Sequence, residues 1–119
     1  MKGTLGHDRT ARVELKVIEA GRECELIVDT GFNDCLYLPQ DLIAAWNLPV
    51  LTSTTMSYAD GGVAITDLYL ATVVWFGVAV PATVLAGPTG CESLLGMGLL
   101  VGCRIELDET AREVRISKL

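Results

Sequence analysis

The sequence predicts an all-β domain with one or two short helices, and three observations carry that expectation. Apolar and charged residues alternate in runs such as "ARVELKV", where Val13, Leu15 and Val17 share one face, the period of a half-buried strand. Such runs are separated by turn-forming groups, Glu19-Ala20-Gly21-Arg22, Asp60-Gly61 and Asp108-Glu109-Thr110. The longest apolar stretch is rich in Val, Thr and aromatic residues, which favour strands over helices.

In chain order, "ARVELKV" and "ECELIVD" form a hairpin around Gly21. "CLYL" is a short strand. Pro39 then suits the first turn of a helix over "PQDLIAAWNL", where its missing N–H has no partner to lose, and Pro49 closes that helix. "TTMSYADGGVAITDLYL" is a long hairpin centred on Asp60-Gly61. Residues 68 to 91, "LYLATVVWFGVAVPATVLAGPTGC", carry no charge and are long enough for a membrane helix. Gly77 and Pro81 interrupt them and no Lys or Arg anchors flank them, so two buried strands turning near Phe76-Gly77 are expected instead. "ESLLGMGLL" is a short helical or turn segment, and "RIELDETAREVRI" closes the chain as two strands.

The 119 residues suit a single domain, residues 1–119, without linker, low-complexity segment or strict repeat. Half of the residues are hydrophobic and 20% charged, with mean hydropathy +0.42, which excludes a disordered chain and leaves apolar surface for a second copy to cover. A net charge of −6 offers no basic footprint for nucleic acid. Cys24, Cys35, Cys91 and Cys103 form no CxxC pair, and His7 is the only histidine, so neither a zinc site nor any other metal or cofactor is expected. The start, "MKGTLGHDRTARVELK", has no apolar signal-type run, so reduced thiols and a cytoplasmic setting are expected, with no membrane role.

One stretch raises a chemical question. "LIVDTGFNDCLYLP", residues 26 to 39, drives an apolar strand into Asp29, then Thr30 and Gly31. A carboxylate at the end of a buried strand needs a partner or a task. Asp-Thr-Gly alone can be a strand-ending turn, with Asp bonding its own backbone. A phosphoryl-transfer aspartate of the haloacid-dehalogenase type would need a second Asp two residues on, where Gly31 stands. Ser53, Ser57 and Ser93 lack a His-Asp setting, and the cysteines lack a base, so serine and thiol nucleophiles are disfavoured.

The order of parts is more specific than the tripeptide. An apolar strand into Asp29-Thr30-Gly31, a hairpin with a glycine tip, and Leu94-Leu95-Gly96 leading into a short helix together resemble the retroviral-type, retropepsin-like aspartic proteases across residues 12 to 117. The resemblance implies an acid-protease barrel whose active site is shared by a homodimer. It implies catalytic Asp29, Thr30 and Gly31, and a flap hairpin. It also implies a substrate-binding set of Asn33, Tyr58, Ala59, Asp60, Gly61, Gly62 and Leu95, with a peptide or protein as substrate. Two carboxylates in contact cannot both ionise, so one serves as base towards water and the other as acid. The chain holds a single Asp-Thr-Gly, so the second Asp29 is expected from a second copy.

Three positions depart from the viral pattern. The Asp four residues after the catalytic one and the Arg after the second motif's glycine, an ion pair in the viral enzymes, are here Asn33 and Met97. That places the resemblance with the non-viral branch. Phe32 stands where a small residue is usual and is expected to crowd the cleft. The resulting expectation is an aspartic endopeptidase. The alternatives are a catalytically silent dimer of the same fold that binds extended peptides and, third, a non-enzymatic membrane-anchored protein.

Overall fold

The computed structural model describes residues 1–57 and 59–119, the side chain of Met56 excepted. Ten strands and two short helices follow one another: β1 (Lys2–Leu5), β2 (Ala11–Val17), β3 (Arg22–Val28), β4 (Leu36–Pro39), α1 (Gln40–Ala45), β5 (Val50–Ser57), β6 (Val63–Trp75), β7 (Val78–Gly87), β8 (Leu94–Leu95), α2 (Met97–Leu100), β9 (Cys103–Asp108) and β10 (Glu113–Lys118). The hairpins expected from turn chemistry are all present. β2 and β3 pair antiparallel, from Val17 opposite Arg22 to Arg12 opposite Ile27, and β5 pairs with β6 from Ser57 opposite Val63.

The uncharged stretch is the β6–β7 hairpin, with Trp75 opposite Val78 and the connecting Phe76 and Gly77 both at positive φ, 49° and 79°. Two such residues in a two-residue connection match the right-handed twist of the strands they join. Its Ala71, Val73, Trp75, Ala82 and Val84 are buried in the common core. Among the described residues, no helix is long and apolar enough to cross a membrane.

The strands form one sheet in the order β5-β6-β7-β4-β8-β3-β2-β1-β10-β9, and β2 also meets β6 at Val17 and Val73. The Ile18 N–H donates to the Thr72 carbonyl at 2.8 Å beside that contact. The sheet therefore curls into a barrel-like ring, β2-β3-β8-β4-β7-β6. Its interior takes the inward positions of every strand, including Val13, Leu15, Leu26, Leu36, Leu38 and Leu95. The alternation that marked "ARVELKV" in the sequence is the alternation of core and surface here.

Two elements differ from the sequence reading. Pro39 ends β4 and stands at the N-cap of α1, one residue ahead of the helix, which stops at Ala45 because Trp46 and Asn47 turn the chain, Asn47 at φ 52°. Residues 2–5, unassigned by pattern, form β1 between β2 and β10.

Candidate active site

The site grows out of one two-residue strand. β8 lies between β3 and β4, parallel to β3 (Ile27 opposite Leu94, Val28 opposite Leu95) and antiparallel to β4 (Leu36 opposite Leu95). β3 and β4 are the strands that enter and leave the loop of residues 29–35, so β8 fills the gap beneath that loop. The Asp29 N–H donates to the Leu95 carbonyl at 2.9 Å, which fixes the aspartate's backbone at the junction. The segment that follows β8 is bonded to the loop in turn: the Gly96 N–H to the Cys35 carbonyl at 2.9 Å, the Met97 N–H to Phe32 at 2.7 Å and the Gly98 N–H to Asp34 at 3.1 Å. A Cβ on Gly96 would run into the Asp34 carbonyl and the Phe32 ring, so close approach of the two loops demands glycine there.

Asp29 is half-buried, and its Oδ1 accepts the Gly31 N–H at 2.9 Å. That bond is the local turn open to any Asp-x-Gly. It occupies one lone pair of one carboxylate oxygen. Thr30 and Gly31 are exposed.

Asp29, Gly31 and Asn33 share an open cleft of about 430 Å³. Phe32, Asp34, Tyr37, Leu85 and Leu94 line it as well, and Thr55 and Ser57 of β5 line it from the hairpin. The Phe32 and Tyr37 rings meet edge to face with centroids 5.9 Å apart. Arg12 tethers the strand ahead of the site: its Nη1 donates to Glu25 Oε1 and to Glu92 Oε2, each at 3.2 Å. Among the described residues, no three of His, Cys, Asp and Glu converge as ligands of a metal would. The four cysteines are free thiols.

The remaining residues singled out in the sequence fall elsewhere. Leu95 does not line the cleft: it is 0% exposed, its side chain belongs to the core, and only its carbonyl reaches the site. Its neighbour Leu94, pointing the other way by strand alternation, lines the cleft instead. Ala59, Asp60, Gly61 and Gly62 form the exposed turn of the β5–β6 hairpin, closed by Asp60 Oδ1 accepting the Gly62 N–H at 2.8 Å, and do not line the cleft. Tyr58 lies outside the described residues. The cleft residues not expected as site residues from the sequence, Asp34, Tyr37, Thr55, Ser57, Leu85 and Leu94, were detectable in part. In "CLYL" the inward Leu36 and Leu38 put Tyr37 on the opposite face.

An all-β ring with two short helices and an Asp-Thr-Gly loop underpinned by the Leu94–Leu95 strand and Gly96 defines the retropepsin-like fold class. The chain superposes on the crystal structure of a retropepsin-like aspartic protease from Rickettsia conorii with a TM-score of 0.62, covering 99% of this chain and 89% of that one at 17% identity. At that identity the likeness is one of fold. No family model and no curated protein matches the sequence.

Proposed function

We propose that this chain is one half of an aspartic endopeptidase whose dyad is Asp29 and the Asp29 of a second copy. One observation carries the reading: Asp29 is held by a backbone bond to β8 at the end of β3 and lines a cleft that β5 of the hairpin also lines. A strand-ending turn would explain the Gly31 bond but not the cleft. In the reaction, one carboxylate takes a proton from water as the oxygen attacks the peptide carbonyl carbon. The partner's Asp29, protonated, gives its proton to the carbonyl oxygen. The tetrahedral diol then collapses, the C–N bond breaks, and the nitrogen leaves with a proton from the dyad. The β5–β6 hairpin acts as a flap, and the substrate lies extended as an added strand.

Asp29→Asn tests this. The amide oxygen still accepts the Gly31 N–H, so the turn and the melting temperature persist. The base and the transferable proton vanish from both halves of the dyad, and cleavage of a denatured protein mixture falls below detection. A single such group typically contributes roughly 10²–10⁴-fold. Cleavage retained by Asp29→Asn would end the aspartic-peptidase reading. The silent-dimer alternative rests on Phe32, Asn33 and Met97. It requires wild type and Asn variant to bind extended peptides alike while neither cuts them.

A further inference from the structure

Two large rings, each seated on a glycine, line the cleft beside Asp29. Phe32 lies in the Asp29 loop, three residues along, and lines the cleft. Its backbone is pinned on both sides: its N–H donates to the Asp29 carbonyl at 3.2 Å, and its carbonyl accepts the Met97 N–H at 2.7 Å. Its ring rests against Gly96, where an added Cβ would strike it. Tyr37 lies edge-on to that ring, and its own ring covers Gly87 in the same way, an added Cβ there meeting the ring and the phenolic oxygen. The pinned backbone, the Gly96 seat behind the ring and the Tyr37 ring at its edge restrict withdrawal of the Phe32 ring on those sides when a ligand enters. Large rings held this way exclude volume rather than adapt to what binds.

From this we infer that Phe32, braced by Tyr37, is a specificity-determining residue. It truncates the subsite next to Asp29, so that the peptide occupying it carries a small side chain (Gly, Ala or Ser) rather than a large apolar one. The inference rests on the cleft being a peptide site, as proposed above, and adds which peptides it takes. Size exclusion of this kind has a known scale. One methylene more or less in an apolar pocket changes discrimination by roughly 10–200-fold, and overfilling a packed site that cannot relax is opposed in the same way. By two-fold symmetry the partner's subsite is truncated alike, so the preference should appear on both sides of the scissile bond.

The test compares wild type with Phe32→Ala and Phe32→Leu on a peptide library randomised around the cut, read by mass spectrometry. Binding of the same peptides to Asp29→Asn and to Asp29→Asn/Phe32→Ala is measured by fluorescence anisotropy. The expected result is that wild type favours small residues at one position on each side. Phe32→Ala should accept Leu and Phe there with at least a 10-fold gain in kcat/KM relative to Ala, and Phe32→Leu should fall between. Identical size preferences in wild type and Phe32→Ala, in cleavage or in binding, would overturn the inference while leaving the peptidase reading intact. Size-selective binding that Phe32→Ala relaxes, with no cleavage by any active-site-intact protein, would leave the inference standing and the peptidase reading overturned. Absence of both binding and cleavage would sink the two together. Circular dichroism of Phe32→Leu, the conservative variant, shows whether a loss comes from misfolding.

Discussion

At the scale of single residues, the site depends on what is missing at position 96 as much as on what is present at position 29. The Asp29 loop and the segment after β8 approach so closely that three backbone bonds join them across Gly96, Met97 and Gly98. Gly96→Ala should therefore force the Asp34 carbonyl and the Phe32 ring away. Overpacking of this sort costs about 1–3 kcal/mol, a fall of several degrees in melting temperature, and activity should drop further than stability because the displaced loop carries Asp29. A Gly96→Ala protein with wild-type melting and wild-type turnover would show that the two loops are not held as described. Asp-Thr-Gly and Leu-Leu-Gly were both legible in the sequence, since each marks a strand end that needs a glycine. Which of the two leucines faces the cleft was not. That depends on the register of β8 between β3 and β4, pairings between segments far apart in the chain that no local pattern encodes.

Among the elements, the antiparallel hairpins were the readable part, because turn residues and alternation are local signals. β1 escaped for an opposite reason. It is four residues long and contains Gly3, a residue depleted in strands, and that glycine is there because a Cβ would meet the Arg12 carbonyl and the side chains of Val13 and Val114. The parallel pairings of β3 with β8 and β4 with β7 join segments far apart in the chain, and nothing local announces them. The β5–β6 hairpin was readable as a hairpin, whereas its action as a flap is a matter for kinetics. Gly61 sits at φ 86° in its exposed turn, a conformation strained by about 1–2 kcal/mol for a residue with a side chain and worse for a β-branched one. Gly61→Val should thus misdirect the tip. Because the strain stays in a turn without core contacts, melting should change less than in Gly96→Ala, while turnover falls several-fold. Kinetics unchanged by Gly61→Val would mean that the hairpin does not close over substrate.

For the molecule as a whole, the decisive arithmetic is one Asp-Thr-Gly per chain against a chemistry that needs two carboxylates. The chain also leaves Val50, Leu51, Val63, Ile65, Val101 and Leu107 more than half exposed, apolar surface that a second copy could cover. If the dyad is shared, activity belongs to the dimer. Specific activity should then be constant at high protein concentration and fall on dilution through the dissociation range. Mixing gives a sharper test. When Asp29→Asn chains are added in equal amount to wild type and allowed to exchange, random pairing leaves only half of the wild-type chains in wild-type dimers. The rest are held in mixed pairs with one carboxylate. Activity should fall to about one half of that of the wild-type protein alone, and excess variant should drive it towards zero. A chain that worked with its own single aspartate would keep full activity in every mixture, because the variant would be a bystander. The same is true of an isologous dimer whose two sites are separate. Dominant inhibition by Asp29→Asn, together with none by a variant that cannot pair, therefore distinguishes a shared dyad from both alternatives. Undiminished activity at a large excess of the Asn variant would refute it.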